Sequence, residues 1–239
     1  MSANDFSRRS DRAELMDDAG TDYGTFRACL VDLAVVNRVT LAHRPTLAFL
    51  AAIAKRGLWP RDRVLRIVDL GSGYGDALRA IDRWAARRGL PFEGIGVDLN
   101  PWSARAAAEV TPSGRPLRWV TADALIGDAP ADIMVSSLFT HHLPDHAVVQ
   151  LMRRMETQAS LAWFINDLHR HPLPHGAFTF LSRVMRWHRF VRHDGPVSIL
   201  RAFTPADWAT LVVHAGLDPS AIAVARRFPY RICVARVKA

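Results

Sequence analysis

Apolar residues are arranged along this chain in two alternating patterns. Short runs rich in branched side chains recur at 64–70, 92–98, 117–120, 131–137 and 161–166. Near-continuous apolar character of this kind marks strands covered on both faces. Between these runs, apolar positions recur at helical spacing over 77–88 and 102–109, and Asn100-Pro101 gives the second helix a capping side chain and a first-turn proline. Two more helices, 25–40 and 45–56, precede the first strand; Leu30, Leu33, Ala34 and Asn37 fall near one face of the earlier one. A short acidic segment, Glu14 to Tyr23, stands before them with room for one helical turn. The chain closes on two strands, 221–227 and 231–237, around Phe228-Pro229-Tyr230. Strands alternating with helices predict an α/β fold.

An insert at 168–217 separates the fifth strand from the final pair and is longer than a helical crossover needs. It reads as a helix over 178–189, a turn at Arg192-His193-Asp194-Gly195-Pro196, and a helix opened by Thr204-Pro205 and closed near Gly216.

The first strand runs into Asp69-Leu70-Gly71-Ser72-Gly73-Tyr74-Gly75-Asp76. Glycines spaced two apart between a strand and a helix let a ligand lie against the main chain. A dinucleotide fingerprint needs a third glycine where Asp76 stands, and a carboxylate there repels a pyrophosphate. A phosphate-free cofactor escapes that penalty. No Gly-Lys-Ser/Thr follows, so a P-loop is excluded.

Asp69 with the glycine spacing resembles motif I of class I S-adenosylmethionine (SAM) methyltransferases, and the next strand ends agree in order. By that resemblance Gly71, Ser72, Gly73 and Gly75 form the cofactor loop beside Asp69. Asp98 takes the two ribose hydroxyls, as a carboxylate can hold a vicinal diol. Leu99 and Asn100 flank the adenine, and Asp123 with the Ala124 amide meets its edge. Ser136-Ser137-Leu138-Phe139-Thr140-His141-His142-Leu143 resembles motif IV of small-molecule methyltransferases and places Ser137 at the cofactor. The likeness covers 60–170 well and the remainder in outline. It implies a Rossmann-like seven-stranded sheet with an antiparallel C-terminal hairpin. It also implies three regions: a flexible N-terminus (1–12), a helical lid (13–59) and a SAM-binding core (60–239), whose insert joins the lid. The whole chain looks like bacterial methyltransferases of polyketide and phenolic pathways, which implies a small hydroxylated apolar or phenolic acceptor and S-adenosylhomocysteine (SAH) as product.

Methyl transfer to a hydroxyl needs a base, and histidine serves near neutral pH. Of the 10 histidines, His142 after the fourth strand and His169 and His171 after the fifth are the candidates, set against the ordinary reading of each as scaffold. Asp167 stands where a carboxylate could orient one of them. No carboxylate and histidine pair sits at helical ligand spacing, which argues against a metal-dependent catechol-type mechanism.

Composition narrows the alternatives. Apolar residues make up 49% of 239, enough for a sizeable core. No apolar run reaches the roughly 18 residues a membrane span needs. Cys29 and Cys233 lack metal-like spacing, and the N-terminus lacks a signal-peptide core, so a cytoplasmic protein is expected. The net charge is +8, almost all of it arginine, but the pairs Arg8-Arg9, Arg87-Arg88, Arg153-Arg154 and Arg226-Arg227 are scattered. Scattered cation disfavours nucleic acid as partner, as does Ser136-Ser137-Leu138-Phe139 in place of the Asn/Asp-Pro-Pro-aromatic tetrad of DNA amino-methyltransferases. An RNA or protein methyltransferase, or a silent SAM-binding protein, stays as the alternative; a homodimer is left open.

Overall fold

The computed structural model describes residues 4–17, 22–128 and 130–238. β1 (Leu65–Leu70), β2 (Phe92–Asp98), β3 (Leu117–Thr121), β4 (Ala131–Ser137), β5 (Ala159–Leu168), β6 (Ala223–Arg227) and β7 (Arg231–Val237) make one sheet in the order β3-β2-β1-β4-β5-β7-β6. The first five pair in parallel, while β7 runs antiparallel to both β5 and β6. This is the seven-stranded sheet with a C-terminal hairpin that the sequence led us to expect. Apolar runs such as Ile67-Val68 and Ile133-Met134 are fully buried because helices cover both faces.

On one face, Val68, Met134, Trp163 and Ile165 pack against α5 (Asp145–Gln158) and α8 (Pro205–His214) through Leu151, Met155, Trp208 and Leu211. On the other, Leu65, Ile67, Ile133 and Phe164 meet α2 (Arg44–Lys55) and α3 (Asp76–Ala86) through Leu50, Ile53, Leu78 and Ile81. Thr204 opens α8 with a capping box, its side chain and that of Asp207 each taking the other's backbone N–H. α4 (Pro101–Glu109) begins at Asn100, whose side chain accepts from Trp102 N.

A cap lies over the carboxyl edge of the sheet. α1 (Tyr23–Val39), α6 (Pro172–Val184) and α7 (Arg189–Arg201) share a small core of Cys29, Val36, Trp187, Phe190 and Val191. A 3-10 turn, Leu15–Asp17, is pinned to α7 by the buried Asp194 carboxylate, which accepts from Leu15 N (2.8 Å) and Met16 N (3.0 Å). Among the described residues no helix is long and apolar enough to cross a membrane.

Several expectations need correction. Of the two N-terminal helices only α1 belongs to the cap; α2 is part of the sheet layer, with Leu50 and Ile53 fully buried. The first insert helix starts at Pro172 rather than near 178. The turn expected at 192–196 is the interior of α7, Pro196 included. Gly-Pro ordinarily breaks a helix. Here Gly195 gives up a side chain so that the Phe178 ring can seat against it, and a Cβ would lie 2.0 Å from that ring. α5 fills a stretch that sequence reading left unassigned.

The N-terminus is also not loose where it is described. Arg9 lies 3.9 Å over the Phe203 ring and donates to the carbonyls of Arg201 (2.7 Å) and Leu143 (2.9 Å). Ser10 N donates to Leu200 O (3.0 Å), and Arg170 Nε to Phe6 O (3.1 Å). Residues 1–3 and 18–21 lie outside the described residues.

Candidate active site

The glycine loop after β1 divides its work. A Cβ at Gly71 would lie 2.2 Å from the Phe139 ring and one at Gly75 would lie 2.1 Å from Trp119, so these two glycines allow close packing. Gly73, at φ +49°, would meet nothing within 4 Å, and it lines a cavity of about 890 Å³ between the sheet edge and the cap. Its exposed backbone is the surface a ligand can approach.

Asp98, at the end of β2, faces the same cavity. One oxygen accepts from Gly73 N (2.8 Å) and the other from Asn100 N (2.9 Å). Each oxygen keeps a second lone pair for a ligand hydroxyl. Asp76 opens α3 beside them. Burial works against its charge, but His43 (3.0 Å) and Asn37 (2.9 Å) more than offset this and hold it below the usual carboxylate range. Asp69 is the opposite case. Complete burial and the nearby charges of Asp76 and Asp98 push its carboxyl well up.

Beyond β4 the chain turns sharply at Leu138 (φ +57°), swings Phe139 over the glycine loop and forms a 3-10 turn, Thr140–His142. Asp167, at the end of β5 and fully buried, holds this turn. It accepts from Thr140 Oγ1, from His141 N (3.0 Å) and from His141 Nδ1 (2.7 Å). Leu168 N donates to it as well (2.7 Å). Burial opposes the charge on Asp167, and these contacts outweigh it, holding the carboxyl far below its ordinary value. With Nδ1 engaged, the orientation of His141 in the cavity wall is set. The His142 ring stacks obliquely 4.3 Å away and comes within 3.8 Å of buried Glu14. Arg9 and Arg201 tie down the far side of the turn through the carbonyls of His141, His142 and Leu143.

Gly71, Ser72, Gly73, Asp98 and Ser137 line the cavity, as do His142 and His169. Asp69, Gly75, Leu99, Asp123 and Ala124 are not in its wall. Asp69 lies beneath the loop, Gly75 faces Trp119, and Leu99 is 70% exposed. Asp123 closes its own turn on Leu125 N (2.8 Å), and Ala124 is core. His171 is also outside the wall, its ring accepting from Leu173 N (3.1 Å) to cap α6. His169 is in the wall, drawn towards its neutral form by burial, Arg226 and His171.

Sequence reading placed His141 beside His142 at the pocket without giving it a role, and missed Glu14, Asn37 and Arg231; all four are in the wall. One ligand atom each from Glu14, His141 and His142 fall within 4.8 Å of one another, the one such cluster found among the described residues. It is assembled across the fold rather than along a helix, so spacing could not reveal it. Arg201, 3.9 Å from Glu14, sets a fixed positive charge against any cation there.

No family profile matches the chain, and no curated protein matches it by sequence. Solved structures do match. One is the magnesium protoporphyrin IX methyltransferase of Synechocystis PCC 6803 with bound SAH (TM-score 0.53, 15% identity, 94% of this chain and 91% of that one). A second is the plantazolicin methyltransferase in complex with SAH (TM-score 0.63, 10% identity, 89% and 95%). A third is human N-acetylserotonin methyltransferase in complex with SAM (TM-score 0.60, 14% identity, 91% of this chain and 57% of that one). At these identities the likeness is one of fold. The chain has the α/β fold of SAM-dependent methyltransferases.

Proposed function

We propose that the protein is a SAM-dependent methyltransferase that acts on a hydroxyl of a small apolar or phenolic metabolite. The observation that carries this reading is that the open face of Gly73, the Asp98 carboxylate and the Asp167-held His141 meet in one cavity. The fold likeness and the small molecules named for those solved structures support it.

SAM, when bound, supplies an electrophilic methyl group on a sulfonium. The residues fit that group: Gly71 to Gly73 offer bare backbone, Asp98 suits a ribose diol, and Asp76 adds negative charge where a cation would sit. Trp102, in the wall beyond Asp98, offers an apolar face to the adenine. The cap excludes water from the acceptor and positions its oxygen, a contribution worth much of the rate in a displacement of this kind.

His141 is the base. Its remaining ring nitrogen takes the hydroxyl proton, and the Asp167 carboxylate stabilises the resulting imidazolium through Nδ1. His142 and His169 lie in the same wall and complete the polar side of the acceptor pocket.

Calorimetric titration with SAM and SAH tests the foundation. Micromolar binding of both is expected. Asp98→Ala removes two hydrogen bonds to a charged acceptor, each worth about 1.5–3 kcal/mol, so affinity should fall about 100-fold or more. Absence of binding by the unaltered protein would sink the reading.

A further inference from the structure

The cavity wall contains a charge that nothing so far uses. Arg231, the first residue of β7, is 4% exposed and pairs with Leu168 at the end of β5. Its Nη2 donates to Thr40 Oγ1 (3.1 Å), at the C-terminus of α1. Its Nε and Nη1 are buried and have no acceptor among the described residues.

Asp167 is the carboxylate whose charge acts on Arg231. Its oxygens are already engaged by Thr140, His141 and Leu168, and no hydrogen bond from Arg231 is among these contacts. Burial lowers the guanidinium only to about 10, so it remains cationic at neutral pH. A buried cation with unmet donors costs folding free energy. Its natural complement is an anion that enters with a ligand, and a carboxylate, small and planar, is one that guanidinium donors match well.

Position separates this group from the cofactor loop. In the order β1-β4-β5-β7, Arg231 begins a strand three places from β1, roughly 14 Å across at ordinary strand spacing. Its neighbours in the wall are Leu168, His169 and Tyr230. Arg231 pairs with Leu168, the residue that follows the Asp167 holding the proposed base.

We propose that Arg231 is an anion subsite in the acceptor half of the cavity, and that the methyl acceptor is a hydroxylated aromatic carboxylate whose carboxylate pairs with the guanidinium through one of its two unmet donors. This rests on the methyltransferase reading and narrows its substrate class. Because Asp167 holds His141 and the next residue, Leu168, pairs with Arg231, hydroxyl and carboxylate sit close together on the proposed acceptor.

The test titrates the SAH-saturated protein with 2-hydroxybenzoate and with its uncharged analogue, 2-hydroxybenzamide. The unaltered protein should prefer the carboxylate at least tenfold, Arg231→Gln should abolish that preference, and Arg231→Lys should keep part of it. Equal affinities in the unaltered protein overturn the proposal, as does a preference that survives Arg231→Gln. If the Gln variant does not fold, Arg231→Lys decides: a preference as strong as the unaltered protein's overturns the proposal.

SAM and SAH carry a carboxylate too, so a second arm compares SAH with 5′-methylthioadenosine, which lacks the amino-acid part. If Arg231→Gln weakens SAH more than tenfold and spares methylthioadenosine, the guanidinium serves the cofactor and the acceptor assignment falls. Repeating the benzoate titration without SAH reads Arg231 alone, so failure of the SAM reading cannot be mistaken for failure of this one.

Discussion

The sheet with its flanking helices and the cap above it are built to different standards. In the sheet body, contiguous buried side chains run through both faces, and Trp163 and Trp208 are completely enclosed. The cap relies on a satellite cluster of a few buried residues and leaves large apolar side chains in solvent, among them Phe180 (71% exposed), Val184 (58%) and Val39 (49%). Such a contrast places the cap at the low end of local stability. The body carries the proposed cofactor site and base, and the cap is the region where local opening to admit an acceptor would cost least.

The sharpest way to break this contrast is a pair of tryptophans. Trp208→Ala should cost about 3–5 kcal/mol of global stability, read from denaturant midpoints. Trp187→Ala, in the cap cluster, should cost less globally and appear instead as faster amide exchange across α6 and α7. Equal global losses would erase the distinction.

Next in size is the seam between the two regions. His141→Ala should lower kcat about 100-fold, the low end for removing a positioned base. SAH affinity should stay within about twofold of the unaltered protein. If His142→Ala loses more turnover than His141→Ala, the base is the neighbouring ring and the Asp167 bond is scaffold.

The smallest effect lies deep in the body. Asp69 has its native carboxyl raised by burial, Asp76 and Asp98, so the folded protein binds a proton that the unfolded chain releases near pH 4. Stability from this group is therefore full in acid and declines as pH rises from about 4 towards the raised native value. Asp69→Asn should flatten that decline and gain about 1 kcal/mol at pH 8. Thermal melts of the two proteins across pH 5 to 8 measure it, and parallel curves would show that Asp69 does not titrate in this range.

The body was legible in the sequence because its signals are local. Apolar runs, Asn100-Pro101 and the spaced glycines each specify their own conformation. Asp167 was legible as a carboxylate that could orient a histidine, but not that the histidine is His141, since the partners are 26 residues apart. They meet because β4 and β5 pair in register through Ser137 and Asn166, which brings the residues after each strand together. Knowing that consecutive parallel strands adjoin would have suggested the pairing. Pro196 misled for a related reason: its local preference for a turn is overridden by Phe178 seated on Gly195 and by Asp194 fixed to the Leu15–Asp17 turn. Asp123 read as a ligand from its place after β3, yet it spends one oxygen on its own loop.

The Arg9 strap has a consequence for the order in which the protein is assembled during synthesis. The contact from Arg9 to Arg201 spans 192 residues. At about 5–20 residues per second, the strap waits roughly 10–40 seconds after it is made before its partner emerges. The β1–β5 sheet can meanwhile form from the intervening chain. A ribosome-bound intermediate stopped before α7 would thus carry an organised carboxyl edge of the sheet, while the loop bearing His141 and His142 lacked the Arg201 half of its clamp.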